Sequence, residues 1–314
     1  MPSVRRWNDA SRMTTHEIPV VTPYRLDLTV SALRRMASNL VDVYTPDGRY
    51  LRALGGFAEP VIVSVTQPRA DALAVSIRGS AGDTERVLAS VCRMLGTERD
   101  LSDFERQAGT IPWLAPLARR MRGLKPPRYP TLFEASASAI VFQQLSLYSA
   151  SAIMRRLILA LGTTLEFNGI PLAVFPGIEV VLGADDAVLR AAGLSAGKLA
   201  TLRRVAEAID SGALSEAMLE ARSSTDAGSL LRDIKGIGPW TAAVILLRGL
   251  GRLDVFPGND SSVAANLALV AGERVDAGPI VDTLGSQRGM LYFCLLLARL
   301  EARSEIGRAS DVSR

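Results

Sequence analysis

The fold is decided by the stretch Leu231-Arg-Asp-Ile-Lys-Gly-Ile-Gly-Pro-Trp-Thr-Ala242. Apolar residues at helical spacing lead into it, and an apolar run over residues 242–250 follows it. Between them Gly236 and Gly238 flank Ile237, which lets the backbone turn sharply with one aliphatic side chain in the core. A proline comes next, and its missing amide costs nothing at the first position of a helix. The pattern predicts a helix, a tight hairpin and a second helix.

The turn also has the properties of an anion-binding site. Gly236 and Gly238 carry no side chains, so the amides as far as Thr241 are open to solvent at the start of the second helix. Unpaired amides and the helix dipole attract a phosphate group at such an end. A Gly-Ile-Gly turn alone is a weak signal. Here it is followed, after one helix, by Asp254-Val-Phe-Pro-Gly-Asn-Asp260.

Composition limits the chemistry that the protein can perform. A chain of 314 residues with 48% hydrophobic content can bury a sizeable core in two or three domains. Cys92 and Cys294 are the only cysteines, too few for a disulfide framework or a four-cysteine iron–sulfur cluster. His16 is the only histidine, which excludes a histidine-based zinc site and a Ser-His-Asp triad. Catalysis must therefore use carboxylates.

Charge and hydropathy bear on partners and location. A pI near 9.3 and a formal net charge of +4 permit a polyanionic partner. No apolar run is long enough to span a bilayer, and residues 1–19 lack the apolar segment of a secretory signal. We therefore expect a cytoplasmic protein without a membrane partner.

The first third of the chain is predicted to be α+β. Residues 1–20 are polar and aperiodic, which predicts a disordered tail. Alternating apolar residues over 24–30 predict a half-buried strand. Further elements predicted here are strands at residues 61–65 and 73–77 and a helix at 83–95. Residues 21–110 are therefore expected to form a small antiparallel β/α domain.

The rest of the chain is predicted to be helical as far as residue 305, with a long last helix at about 279–301 and a tail at 306–314. One dense basic run, residues 119–128, contains no acid. It is expected to be a solvated turn, and to face phosphates only if it borders the hairpin.

Hairpin and downstream aspartate together resemble the helix-hairpin-helix DNA glycosylases, and within that superfamily the 3-methyladenine DNA glycosylase II (AlkA) type. The resemblance covers residues 24–303. It implies an all-α glycosylase region of two helical subdomains at residues 111–305, behind a largely structural N-terminal domain. It implies no organic cofactor and no metal held by side chains. A monovalent cation is expected to bind only the hairpin backbone between Lys235 and Gly238.

Asp260 is the candidate catalytic residue. Cleavage of the bond between a base and its deoxyribose places positive charge on the sugar, and a fixed carboxylate stabilises that charge and orients the attacking water. The resemblance places Asp260 at the position of the family's catalytic aspartate. The alternative is that Asp260 only caps the helix that opens at Ser261, as aspartates commonly do.

Trp240 is assigned to the base pocket. Bifunctional members of the superfamily carry at this position a lysine that attacks the sugar, so the resemblance implies no lyase step. In the family the tryptophan lines the pocket, where its ring favours a cationic methylated purine. The alternative is a packing tryptophan at a helix start. Val244 stands where many members have a further aromatic residue, so the pocket is expected to be wider or less selective.

Residues 140–146, Ile-Val-Phe-Gln-Gln-Leu-Ser, resemble the family segment that fills the gap left by a flipped base. Gln144 aligns with this wedge position, and Gln143 is assigned to the base pocket. The alternative is two ordinary polar residues on a half-exposed helix. Candidates for the missing pocket aromatic are Tyr24, Trp113, Phe142 and Tyr148.

These assignments predict a monofunctional DNA glycosylase that removes alkylated purines of the 3-methyladenine and 7-methylguanine type by base flipping, for base excision repair. Contacts to DNA phosphates are assigned to Lys235, Gly236, Gly238 and Thr241. Damaged duplex DNA is the expected partner, which places the protein at the nucleoid, and no obligate protein partner is implied. The alternatives are a glycosylase for oxidised or deaminated bases and a non-catalytic hairpin protein that binds damaged DNA.

Overall fold

The computed structural model describes residues 5–7, 13–79, 81–258 and 261–307, with only the backbone of residues 5–7, 81, 261 and 262. Within these residues the fold is α+β, as predicted, with an N-terminal antiparallel sheet followed by helices. The strands are β1 (Arg5–Trp7), β2 (Thr14–Pro19), β3 (Asp42–Tyr44), β4 (Tyr50–Leu54), β5 (Val61–Arg69), β6 (Ala72–Arg78), β7 (Thr164–Phe167) and β8 (Ile170–Ala173).

The helices begin and end as follows: α1 (Leu26–Arg34), α2 (Thr84–Leu95), α3 (Ser102–Gly109), α4 (Leu114–Arg120), α5 (Leu132–Phe142), α6 (Leu147–Leu161), α7 (Ile178–Gly183), α8 (Asp186–Ala191), α9 (Ala196–Asp210), α10 (Glu216–Glu220), α11 (Ser224–Arg232), α12 (Pro239–Gly249), α13 (Ser261–Ala271), α14 (Ala277–Leu284) and α15 (Gly289–Ala302).

The large sheet is covered on both faces. Its strands are antiparallel, in the order β2-β6-β5-β4-β3. One face packs against α1 and α2 around Val63 and Val75, and the other packs against a small sheet, β1-β7-β8, around Leu51 and Phe167. Because both faces are covered, every residue of β4 is buried, and the strand reads as a continuous rather than an alternating pattern.

The strand predicted at residues 24–30 is wrong, because helix α1 begins at Leu26 and includes the rest of this segment. The helix is buried on two sides. Leu26, Val30 and Leu33 face the sheet at helical spacing, while Leu28 and Ala32 face the C-terminal helices. Two interleaved helical stripes, one for each neighbour, look like strand alternation when only the sequence is considered.

Two predicted segments contain unexpected strands. Residues 14–19, assigned to a disordered tail, form β2 at the sheet edge, where its backbone pairs with β6 and only Ile18 and part of His16 are sheltered from solvent. Residues 164–173, assigned to a helical region, form the hairpin β7–β8. Its turn is Asn168-Gly169, both with positive φ (50° and 78°), which is a strong hairpin signal that the sequence does contain.

The long last helix predicted at residues 279–301 is two helices. α14 ends at Leu284 and α15 begins at Gly289, with a single 3₁₀ turn between them. Gly285 adopts a φ of +51°, a conformation that ends the first helix at little cost only because the residue is glycine.

The helical part has two hydrophobic cores. The first helical core joins α5, α6, α9, α11 and α12, and the second joins α3, α4, α13, α14 and α15 with one side of α1. Helix α12 serves both, because Val244 and Ile245 lie in the first core and Leu247 lies in the second. Along the chain, α3 and α4 of the second core come first, the helices of the first core follow, and α13 to α15 complete the second core.

The basic run at residues 119–128 is not a solvated turn. Lys125 is 1% exposed and its ammonium group donates to Arg99 O at 2.6 Å. Burial lowers the pKa of Lys125. Arg120 pairs with Glu301 at 2.9 Å, and Arg128 donates to Gly249 O. These contacts direct Lys125, Arg120 and Arg128 toward Arg99, α15 and the end of α12, so these three residues brace the fold.

A buried ionic group, the Arg52 cluster (Arg52, Asp42, Glu134 and Tyr50), joins the sheet to α5. The Arg52 guanidinium contacts Asp42 Oδ1 at 2.5 Å and both oxygens of Glu134 at 2.6 and 2.7 Å. Tyr50 donates to Asp42 at 2.7 Å. Burial raises the pKa of Glu134, although the neighbouring Arg52 charge acts in the opposite direction. The cluster therefore fixes α5, the helix that leads to Gln143 and Gln144.

None of the helices within the described ranges is both long and apolar enough to cross a bilayer.

Candidate functional site

The predicted helix-hairpin-helix is present as α11, a tight turn and α12. Gly236 has a φ of +103°, and Gly238 precedes Pro239 with extended backbone. Ile237 is 5% exposed and packs in the first helical core, as expected. The first hydrogen bond of α12 runs from Ala242 N to Gly238 O at 3.0 Å. The amides before it have no partner inside the helix, so the turn offers donors to an anion.

Helix α9 packs tightly under this turn. A Cβ atom added to Gly236 would lie only 1.9 Å from Thr201 Oγ1, whereas a Cβ atom added to Gly238 would have no other atom within 4 Å. The close packing against Thr201 therefore favours glycine at position 236, whereas position 238 faces open space.

We expect Gly236→Ala to lower the free energy of unfolding by roughly 2–4 kcal/mol, from backbone strain and overpacking against Thr201. Urea unfolding followed by circular dichroism measures this loss. Gly238→Ala is the matched control, and its stability should change by less than about 1 kcal/mol because its φ of −90° suits alanine. Equal losses in the two variants would mean that α9 does not support the turn.

The residues assigned to phosphate contacts surround the turn. Lys235 is exposed, and its carbonyl accepts a hydrogen bond from Arg204 Nη1 at 3.1 Å. Arg204, on α9, thus adds a second positive charge beside the hairpin, which the sequence analysis missed. Thr241 is 2% exposed, so its hydroxyl points inward and only its backbone is available to a phosphate.

The loop between α5 and α6 is tied to the hairpin. Gln143 donates through Nε2 to Gly236 O at 3.0 Å and to Thr241 Oγ1 at 2.7 Å. Lys198 Nζ donates to Val141 O and Gln143 O, both at 2.8 Å, and so caps the end of α5. Gln143 therefore connects two candidate DNA-contacting segments, and its place in the base pocket stays a prediction.

Gln144 stands at the tip of this loop. It is exposed and adopts a φ of +53°, which is uncommon for a residue other than glycine. Ser146 then caps α6 by accepting from Ser149 N at 3.1 Å. Gln144 is therefore exposed in a loop between two capped helices, and its assignment as the DNA wedge stays a prediction.

Trp240 and Val244 differ in their exposure. Trp240 is half-buried and packs against the first helical core, so one part of its ring remains open. Val244 is 1% exposed and lies inside that core. A role for Val244 in the base pocket stays a prediction, and its side chain presents almost no surface in this structure.

Asp260 lies outside the residues that the structure describes, as does Asn259. The segment before it is well defined. Val255 packs against the first helical core and Phe256 against the second, so this segment bridges the two. The Gly289 amide donates to Leu253 O at 2.7 Å, and a Cβ atom added to Gly289 would lie only 2.9 Å from Val255 O. The start of α15 thus clamps the strand of chain that leads to Asp260.

The structure distinguishes the candidate pocket aromatics. Tyr24 is 4% exposed and donates to Leu95 O, so it is structural. Trp113 packs against the second helical core. Tyr148 is 44% exposed and donates to Glu305 at 2.7 Å. Phe142 is half-buried, directly before Gln143, and it is the candidate that lies next to the loop of Gln143 and Gln144.

Tyr292 on α15 is an aromatic residue that the sequence analysis missed. It is half-buried against the second helical core, and its hydroxyl accepts a hydrogen bond from Arg35 Nη2 at 3.2 Å. The Arg35 guanidinium also lies 4.2 Å from the centre of the Phe142 ring. We call these three residues the Arg35 junction. Sequence offered no signal for it, because its members come from α1, α5 and α15.

Within the ranges that the structure describes, no group of three or more His, Cys, Asp or Glu side chains could hold a metal ion. Cys92 and Cys294 do not form a disulfide bond. Burial raises the pKa of Cys294 to about 12.

Known proteins with similar sequences include several named DNA-3-methyladenine glycosylase and, from Mycobacterium tuberculosis, a probable bifunctional transcriptional activator/DNA repair enzyme AlkA, to which the chain is 29% identical over 73% of its length and 46% of that protein's. Over 186 residues the chain is 29% identical to a DNA-3-methyladenine glycosylase from Bacillus subtilis, covering 59% of this chain and 61% of that protein. The chain spans between 46% and 61% of the length of the curated relatives that it matches. No model of a protein family matches the chain.

Solved structures show the same fold over nearly the whole chain. A 3-methyladenine DNA glycosylase from Archaeoglobus fulgidus superposes with a TM-score of 0.76 at 24% identity, over 90% of this chain and 98% of that one. An 8-oxoguanine glycosylase/lyase from Clostridium acetobutylicum, in complex with duplex DNA, superposes with a TM-score of 0.70 at 16% identity, over 93% of this chain and 98% of that one. Both superpositions cover at least 90% of this chain, so the likeness in fold is not confined to the helical part.

Proposed function

Because the chain has the helix-hairpin-helix glycosylase fold and is homologous to proteins named DNA-3-methyladenine glycosylase, we propose that it is a DNA glycosylase that removes alkylated purines. The observation that carries the proposal is the open turn at Gly236 and Gly238, tied through Gln143 to the tip at Gln144. A phosphate-binding end and a projecting side chain lie on one connected surface.

Binding begins at the hairpin. The amides around Gly238 and Thr241 receive a phosphate of the backbone, and Lys235 and Arg204 add positive charge beside it. Together they hold one strand of duplex DNA at the start of α12. A monovalent cation bound by the carbonyls of the turn is compatible with this contact.

Gln144 acts as the wedge in base flipping. Gln144 enters the base stack and occupies the space of the displaced nucleotide. Its backbone is already fixed by the caps of α5 and α6, so little order has to be gained on binding. The flipped base then stacks against aromatic surface, which Trp240 and Phe142 provide.

Asp260 supplies the chemistry. As the bond to the base breaks, its carboxylate stabilises the positive charge on the sugar and accepts the proton of the attacking water. A cationic methylated purine is already a good leaving group, so no separate acid is needed to protonate it. Trp240 stands where bifunctional enzymes have a lysine, and we therefore propose hydrolysis without a lyase step.

Release of free bases tests this proposal. Incubation of the protein with methylated duplex DNA should liberate 3-methyladenine and 7-methylguanine, which chromatography identifies. A parallel reaction with borohydride should trap no covalent protein–DNA adduct, because no Schiff base forms. Release of 8-oxoguanine with trapping of an adduct would instead favour a glycosylase/lyase for oxidised bases, and duplex binding without any release would indicate a non-catalytic damage-binding protein.

A further inference from the structure

One side of helix α9 supports both segments that the proposed function assigns to DNA. Lys198, Thr201 and Arg204 are spaced three positions apart, so they lie on successive turns of the same side. Thr201 packs directly under Gly236, and Arg204 donates to the carbonyl of Lys235 at 3.1 Å. These two residues hold the hairpin. Lys198, one turn earlier, reaches a different segment.

Lys198 holds the end of α5. Its ammonium group donates to Val141 O and to Gln143 O, both at 2.8 Å. Carbonyls in the last turn of a helix have no amide partner within the helix, and a positive charge is favourable at that end. The Gln143 carbonyl belongs to the peptide group that joins Gln143 to Gln144. Lys198 therefore fixes the backbone directly before the residue assigned as the wedge.

The ammonium group of Lys198 is directed at backbone and not at a carboxylate. The side chain is half-buried. Burial lowers the pKa of Lys198, and no neighbouring carboxylate acts on this pKa among the residues that the structure describes. Hydrogen bonds from a charged donor are about twice as strong as those between neutral groups. Two such bonds to adjacent turns of backbone define the path of the chain out of α5.

Gln143 closes a ring of contacts. Its carbonyl is held by Lys198 of α9, while its side-chain amide donates to Gly236 O at 3.0 Å and to Thr241 Oγ1 at 2.7 Å in the hairpin. The hairpin in turn packs on α9 through Gly236. Helix α9, the hairpin and the loop of Gln143 and Gln144 thus each contact the other two. Such a ring sets the distance between the phosphate-binding turn and Gln144.

This distance matters for extrusion of a base and much less for binding of the duplex. Contacts to phosphates supply most of the affinity for DNA and fix the protein's register on it. A wedge does its work only if it stands opposite the right step of the base stack while the phosphate is held. A displacement of about 1 Å is enough to lose on the order of 10²-fold in rate from a positioned group. A ring of contacts prevents it before DNA arrives.

We propose that Lys198 is a positioning residue that keeps Gln144 at a fixed distance from the phosphate-binding turn and so couples the grip on the backbone to extrusion of the base. This inference rests on the proposed glycosylase function and on the assignment of Gln144 as the wedge. Helix α9 then acts as the frame on which both DNA-contacting segments are mounted.

The test uses Lys198→Met, which removes the charge and the donors but keeps a long side chain that suits a helix. Release of 7-methylguanine is measured under single-turnover conditions from two duplexes, one with the lesion opposite cytosine and one with it opposite an abasic site. From the paired duplex the rate should fall on the order of 10²-fold. Opposite the abasic site it should fall by less than about fivefold, because a base without a partner is extruded at lower cost.

The ratio of the two rates separates positioning from folding, because the folded fraction of one preparation affects both duplexes equally. The affinity of Lys198→Met for the paired duplex should stay within about threefold of the parent, with the same salt dependence. Weaker binding with a shallower salt dependence would overturn the inference, since it would mean that Lys198 contacts a phosphate itself. Lys198→Arg keeps a charged donor and should restore most of the rate on the paired duplex.

Arg203→Met is the matched control. Arg203 is a cation on the same helix that also holds the end of another helix, because it donates to Val181 O, Leu182 O and Ala184 O at 2.6–3.2 Å. Its loss should leave the ratio of the two rates at the parental value. An equal fall on both duplexes in Lys198→Met overturns the inference and assigns Lys198 a purely structural role. A parent protein that releases no base from either duplex overturns the proposed function instead.

Discussion

Asp260→Asn should reduce release of 7-methylguanine by roughly 10³-fold, because removal of the carboxylate takes away the charge that stabilises the sugar cation and accepts the proton of water. Asparagine caps a helix about as well as aspartate, so α13 should remain intact. Single-turnover excision from a defined duplex measures the effect. Binding to the same duplex should be retained or slightly tighter, since a negative charge facing a polyanion has been removed.

The matched control is Asp254→Asn. Asp254 is exposed and six positions earlier on the same segment, so its neutralisation changes net charge in the same way without touching the proposed chemistry. It should release bases at the parental rate. Undiminished release by Asp260→Asn would show that Asp260 is only a helix cap, and the carboxylate that performs the reaction would have to be sought elsewhere.

Arg52→Leu should lower the free energy of unfolding by about 3–5 kcal/mol, because it leaves two buried carboxylates without their cation. Asp42 and Glu134 are 2% and 4% exposed, and both contact the Arg52 guanidinium. Urea unfolding of the whole chain measures the loss. Since the cluster joins the sheet to α5, excision should also slow under conditions in which the variant remains folded, because the loop of Gln143 and Gln144 at the end of α5 loses its support.

Arg69→Leu is the control for this prediction. Arg69 forms a two-pronged ion pair with Glu17 at 2.9 and 3.0 Å on the same sheet, but its side chain is 55% exposed. An exposed pair contributes about 0–1 kcal/mol, so the variant should unfold almost like the parent. Comparable losses in the two variants would contradict the view that burial of the charges, and not their number of contacts, makes the Arg52 cluster important.

Much of the site was predictable because its signals are local. The turn at Gly236 and Gly238, its anchor Ile237 and the start of α12 at Pro239 follow from conformational rules that act within a few residues. The strands β5 and β6 also follow from short apolar runs between turn residues. Asp260 is identified by its place in a motif, and the resemblance to a family then supplies its chemistry.

Other features were not predictable, because they depend on neighbours that are distant in the chain. Helix α1 looks like a strand since its two faces serve two cores. Edge strand β2 has almost no apolar residues and is stabilised by hydrogen bonds to β6. The tie between Gln143 and the hairpin spans 93 positions, and no local rule can place an amide side chain over that separation.

The sequence by itself therefore determined the hairpin, the α+β class and the segment that carries the carboxylate, because glycine, proline and hydrophobic periodicity act through the backbone of a few adjacent residues. Only the tertiary structure decided what surrounds them. Arg35 and Tyr292 are 257 positions apart and meet because α1 packs against α15. Such a pairing is selected by the packing of whole helices, which no short stretch of sequence contains.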